Sequence, residues 1–222
     1  LPMGICEEFQ NNIISLFGLS KSYSLSALRT GFIVANEYII QDIRDNLFLE
    51  LDSISMINQI SLASVFNNQK KRIRYRGKFL KKINEKYMFN LEIVKYFIIG
   101  EKNVSRKTKR YIESKMTKEN LNMCKNGIKN VNFYHDFLPE SGFFALIDFT
   151  KLKGKKIDGS IINNDRDLII SLFKKSKIKF LPGSSFGWQN DNEIIGRITF
   201  SQEPTILIKN LSLLSKIINE VQ

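Results

Sequence analysis

The chain has 222 residues, 43% of them hydrophobic and seventeen of them Phe, and it carries a formal net charge of +12. That supply of apolar residues suffices for one sizeable core or two small ones, while no apolar run reaches the roughly 18 residues that span a bilayer and no basic leader with a cleavage site is present; a cytoplasmic protein with no membrane partner is expected. Two cysteines, Cys6 and Cys124, give neither a disulfide framework nor a metal spacing, and the single histidine, His135, excludes a histidine-rich metal site.

Residues 1–35 predict a strand, a turn and a second strand. Phe17 and the apolar residues before it suit the first strand, and Gly31-Phe32-Ile33-Val34-Ala35, short, β-branched and aromatic, suits a buried second one. Between them lies the Ser/Gly-rich run Gly18-Leu19-Ser20-Lys21-Ser22-Tyr23-Ser24-Leu25-Ser26-Ala27-Leu28-Arg29-Thr30. Lys21 and Arg29 therefore fall at strand ends, where open α/β sheets bind ligands. A lysine amine lowered from its ordinary pKa of about 10.4 can form a Schiff base with an aldehyde. An arginine eight residues later offers a planar fork of donors suited to phosphate.

From residue 37 to about 97 the pattern is mainly helical, opening with Ile39, Ile40, Ile43 and Leu47. Residues 59–82 and 87–99 predict long amphipathic helices with basic outer faces. Residues 105–128 predict another helix, stopped at Gly127. The basic runs at 70–78 and 106–110 are read as solvated helix faces rather than a nucleic-acid interface, and such a surface can steer anionic ligands. Strands are expected at 131–134, 143–149, 178–181 and 193–200. Asn164 is a candidate cap for a helix turning Leu168, Ile169, Leu172 and Phe173 inward. The last helix carries Leu207, Leu211, Leu214 and Ile218 as a buried stripe.

Two further motifs stand in this C-terminal part. Phe180-Leu181-Pro182-Gly183-Ser184-Ser185-Phe186-Gly187 precedes Ile195-Gly196-Arg197-Ile198-Thr199-Phe200. Arg197 sits on an apolar strand, where a low dielectric strengthens a bidentate pair with a carboxylate, and the Pro182-Gly183 turn places Phe186 to wall a pocket. Upstream lies Pro139-Glu140-Ser141-Gly142-Phe143-Phe144.

The run from Gly18 to Gly31 closely resembles the lysine signature of class I/II pyridoxal-phosphate aminotransferases. Gly18, Ser20, Lys21, Ser24, Leu25, Ala27, Arg29 and Gly31 match, and Thr30 departs where the family prefers an aliphatic residue. The two C-terminal motifs resemble that family's "PGS-x-FG", "R-I-x-F" and "P-x-GG-F-F" segments, with Ser141 in place of the first glycine. The resemblance implies an α/β protein: the C-terminal part of the fold type I large domain over 1–100, followed by a small α/β domain over 101–222. It further implies pyridoxal 5'-phosphate as cofactor, Lys21 as catalytic lysine, Ser20 and Arg29 on the phosphate, and Arg197 on the substrate carboxylate. Amino acids and 2-oxo acids would be the substrates, in a parent homodimer. Residues 1–20 hold no Asp-x-x-Tyr, the motif whose aspartate would keep the pyridine nitrogen protonated, so the chain is expected to be the C-terminal half of such an enzyme. A catalytically inactive truncated homologue acting as an interaction domain, and a lyase using the same cofactor, stay open beside it.

Overall fold

The computed structural model describes residues 12–22, 28–51, 55–67, 69–140, 142–188, 190 and 192–221. Two compact units divide the chain, Leu1–Arg76 and Gly77–Gln222, and the division falls inside one long helix. Cys6 and the segment from Tyr23 to Ala27 lie outside the described residues.

In the first unit, β1 (Ser15–Gly18) and β2 (Gly31–Val34) pair antiparallel, from Ser15 opposite Val34 to Gly18 opposite Gly31. Phe17 and Phe32 face each other across the ribbon with their rings stacked 4.7 Å apart. Gly31 is needed there, because a Cβ would stand 2.6 Å from the Phe17 carbonyl oxygen. The lysine run continues from β1 as a short helix, α1 (Leu19–Ser22), rather than as a turn. The second strand exists but is not buried: Phe32, Ile33 and Val34 are 39%, 38% and 40% exposed. A two-stranded ribbon has no third strand to shield it, and no further strand joins it among the described residues. Two helices follow, α2 (Glu37–Leu51) and α3 (Met56–Asn67).

The helical region breaks elsewhere than its pattern implied. One helix, α4 (Gln69–Ile99), runs through the position expected for a break, since residues 82–87 contain neither Gly nor Pro. Conversely, the helix expected over 105–128 is two. The first, α5 (Arg106–Glu113), is capped by Ser105, and α6 (Lys118–Cys124) by Thr117, whose side chain accepts from the Asn120 amide. Gly127 does follow the second, with φ of 83°.

The second unit holds a four-stranded antiparallel sheet in the order β3 (Asn132–Phe133), β4 (Phe144–Asp148), β8 (Ile195–Thr199), β7 (Leu181–Pro182). All four lie within or beside the expected strands. A small hairpin, β5 (Lys156–Ile157) with β6 (Ser160–Ile161), went unforeseen; its Asp158-Gly159 tip has φ of 51° and 77°, as a tight hairpin turn requires. Two helices complete the unit, α7 (Asp165–Ser176) and α8 (Pro204–Asn219).

Asn164 caps α7, its side chain accepting from the Asp167 amide at 2.9 Å. Leu168, Ile169 and Leu172 are buried, whereas Phe173 is 44% exposed, against expectation. The stripe of Leu207, Leu211, Leu214 and Ile218 on α8 is buried throughout. One core joins these helices to Leu91, Val94 and Phe97 of α4 and to Ala145, Ile147 and Ile198 of the sheet.

Two polar ties position the sheet and the helices around it. Asn90, fully buried on α4, donates to the Phe200 and Gln202 carbonyls at 2.7 Å each, fixing the exit from β8. Glu92, also on α4, accepts from the Ser105 hydroxyl at 2.5 Å and from the Thr108 hydroxyl. Partial burial pushes the Glu92 carboxyl up, but these hydrogen bonds, with nearby Lys95, outweigh it and hold the group below its ordinary value of 4.5. No helix among the described residues is long and apolar enough to cross a membrane.

Two predictions follow from this packing. Because the Glu92 carboxyl is depressed in the folded state, its contribution to stability is present above the ordinary value and is lost as pH falls through the folded one. Denaturant titrations of wild type and Glu92→Gln between pH 6 and pH 3 (about the range spanning an ordinary carboxyl) should show a steeper loss in wild type; parallel curves would refute it. At Gly196, a Cβ would stand 2.6 Å from Phe180 Cε2 and 2.9 Å from Phe149 Cε2. Gly196→Ala should therefore destabilise the fold by about 1–3 kcal/mol in urea unfolding, and an unchanged midpoint would contradict that packing.

Candidate functional site

Two places gather the residues singled out from the sequence. The first is the end of the β1–β2 ribbon. Gly18 pairs with Gly31, and the Leu19 amide donates to the Thr30 carbonyl at 3.3 Å. Ser20 and Lys21 on α1 and Arg29 ahead of β2 are thereby held at the same end of one ribbon. Ser20 is half-buried; the Lys21 side chain lies outside what the structure describes.

Arg29 has φ of 48°, in the left-handed region that few non-glycine residues occupy, and its side chain is exposed. From α3, Asn58 donates to the Leu28 carbonyl at 3.1 Å, holding the residue before it. The neighbouring Thr30 hydroxyl is buried without a hydrogen-bond partner. Among the described residues no carboxylate pairs with Arg29. Among the described residues, an exposed guanidinium without a carboxylate partner and a neighbouring position with a buried, unpartnered hydroxyl supply donors of the kind a phosphate takes.

The second place is the outward face of the sheet in the other unit. Along β8, Gly196 and Ile198 turn inward, so Arg197 turns outward. Leu146 stands opposite it on β4 and Leu181 on β7. The Arg197 guanidinium carbon lies 4.4 Å from the centre of the Phe144 ring and 5.3 Å from that of Phe186. Its Nε is buried and without a partner, and no carboxylate pairs with it among the described residues. Among the described residues this arginine is braced by rings rather than by a carboxylate.

Phe186 thus walls the place expected of it, while Phe144 was seen only as part of a strand motif. Alternation puts Phe144 and Leu146 on one face, but only the fold shows Phe144 paired with Thr199 beside Arg197. Also unforeseen is a network at the opposite end of the sheet. Trp188 Nε1 donates to Glu193 at 2.8 Å and Tyr134 donates to the same carboxylate at 3.3 Å, with the Tyr134 and Trp188 rings edge to face at 4.7 Å. Glu193, His135, Asp136 and Asp148 line an open cleft of about 590 Å³ there. Their carboxylates are largely engaged: Asp136 accepts from Asn132 and Asp148 from the Thr150 amide. No cluster suited to a metal ion occurs among the described residues.

Known proteins give the fold its context. No protein-family model and no curated protein matches the chain. Among solved structures, the aspartate aminotransferase of Rhizobium meliloti is similar at 17% identity and a TM-score of 0.62, over 96% of this chain and 43% of its own. The aromatic aminotransferase of Pyrococcus horikoshii is similar at 14% identity and a TM-score of 0.64, over 97% and 45%. A PLP-bound protein of Clostridium difficile gives 18%, 0.59, 99% and 45%. The chain therefore adopts the α/β architecture of the aminotransferase fold and spans less than half the length of the structures it matches.

The unpaired state of Arg197 yields a stability prediction. Breaking a structural ion pair costs about 3–5 kcal/mol, whereas losing ring contacts alone costs about 0.5–1 kcal/mol each. Arg197→Met, similar in length, should cost no more than about 2 kcal/mol in urea unfolding, the loss of its contacts with the Phe144 and Phe186 rings. A loss in the ion-pair range would identify a structural arginine instead.

Proposed function

We propose that this chain is the C-terminal half of a pyridoxal-phosphate-dependent aminotransferase, moving an amino group between an amino acid and a 2-oxo acid. The observation that supports the reading is the ribbon end, where the β1–β2 register sets α1, the helix that carries Ser20 and Lys21, at the same end as the backbone of Arg29. The fold shared with aminotransferases supports it, as does the lysine signature. In this reading residues 1–100 belong to the large domain and 101–222 form the small one, within a homodimeric parent enzyme.

When bound, pyridoxal phosphate supplies an aldehyde for an amine to condense with and a ring that withdraws electrons. Lys21 would hold that aldehyde through its ε-amine, and the same amine would serve as general base toward the proton on the substrate Cα. Arg29 and the Ser20 hydroxyl bind the phosphate. Arg197 fixes the α-carboxylate through its Nη edge, because its Nε is buried. That hold would fix the substrate's orientation, on which the proton transfer depends.

Pyridoxal phosphate added to the chain should produce an absorbance band near the visible edge, which Lys21→Ala abolishes. Arg29→Met should weaken the binding behind that band about tenfold or more, the cost of a charge-assisted phosphate contact. A band of equal strength in Lys21→Ala would overturn the assignment.

A further inference from the structure

We infer that the Arg197 face takes a monocarboxylate with an apolar, preferentially aromatic, side chain and disfavours dicarboxylates. The inference rests on the reading of Arg197 as a carboxylate clamp and adds the class of substrate. Three observations carry it, all on the outward face of one sheet.

The first is charge. The strand positions sharing that face are Phe144, Leu146 and Asp148 on β4, Ile195, Arg197 and Thr199 on β8, and Leu181 on β7. Arg197 is the sole cation among them, and one guanidinium satisfies one carboxylate. The second is surroundings. A second carboxylate would have to settle against Phe144, Leu146, Leu181 or Phe186, losing water without gaining a partner. Towards the other end of the face it would meet Asp148, two pairs further along the β4–β8 ladder, and like charges on one face repel.

The third is available ring surface. Phe144 and Phe186 remain 37% and 36% exposed while bracing the guanidinium. Their free edges and faces can pack an apolar side chain, and aromatic pairs prefer offset or edge-to-face contact at such a place. The same rings therefore do two things: they hold the clamp, and they choose what it holds.

The test needs no cofactor. The ¹⁵N-labelled full chain is titrated with 3-phenylpropanoate and, separately, with succinate, following amide shifts on β4 and β8 by NMR. The phenyl probe should bind about tenfold more tightly than succinate, and Arg197→Met should abolish the shifts from both. Phe144→Ala and Phe186→Ala, checked for an intact spectrum, should narrow the ratio, the phenyl probe losing more affinity than succinate. Equal or tighter succinate binding that still depends on Arg197 would overturn the substrate class and leave the clamp standing. Absence of any Arg197-dependent shift would overturn the clamp itself, and this inference with it.

Discussion

Alternation along β8 is the constraint on which the C-terminal unit turns. Gly196 lies against the Phe149 and Phe180 rings, and Ile198 enters the core, so the pleat leaves Arg197 no choice but the outward face. A register slip of one residue would bury the guanidinium and expose the isoleucine. The pairing with β4 then delivers Phe144 and Leu146 to the same side, and the turn before β8 delivers Phe186. Packing on one side of a sheet thereby creates an open cation on the other.

A comparable economy governs the ribbon in the N-terminal unit. Its register, closed by Gly18 and Gly31, sets α1 and Arg29 side by side although eight residues separate Lys21 from Arg29 in sequence. The left-handed backbone at Arg29 and the unpartnered Thr30 hydroxyl are local costs, and the Asn58 hydrogen bond to Leu28 steadies the turn that carries them. Such costs gather where a chain is shaped for a ligand. The apolar strand residues left exposed on this ribbon fit a chain that spans under half of the structures it resembles.

Much of this was legible in the sequence, and the gaps have physical causes. The α8 stripe and the Asn164 cap could be read because helical period and local hydrogen bonding depend on near neighbours. The break expected at 82–87 misled because amphipathic pattern alone does not mark a helix end, and α4 runs through that stretch and through Gly77 alike. The Asp158-Gly159 hairpin had its turn signal in plain view, but strands of two residues leave no alternation to support it. At the candidate site, Lys21, Arg29 and Arg197 stood out by motif, whereas the ring contact from Phe144 and the network of Glu193 with Trp188 and Tyr134 needed three dimensions. Glu193 and Tyr134 lie 59 positions apart, and nothing local couples them.

The central claim concerns one amine in a chain with 34 Lys and Arg residues, many of them in basic runs. The most direct measurement is peptide mapping by mass spectrometry after pyridoxal phosphate is added and fixed with borohydride. The account predicts the label concentrated on the peptide bearing Lys21 at stoichiometric cofactor. A label spread over the basic stretch at 70–82, with Lys21 unmodified, would contradict it.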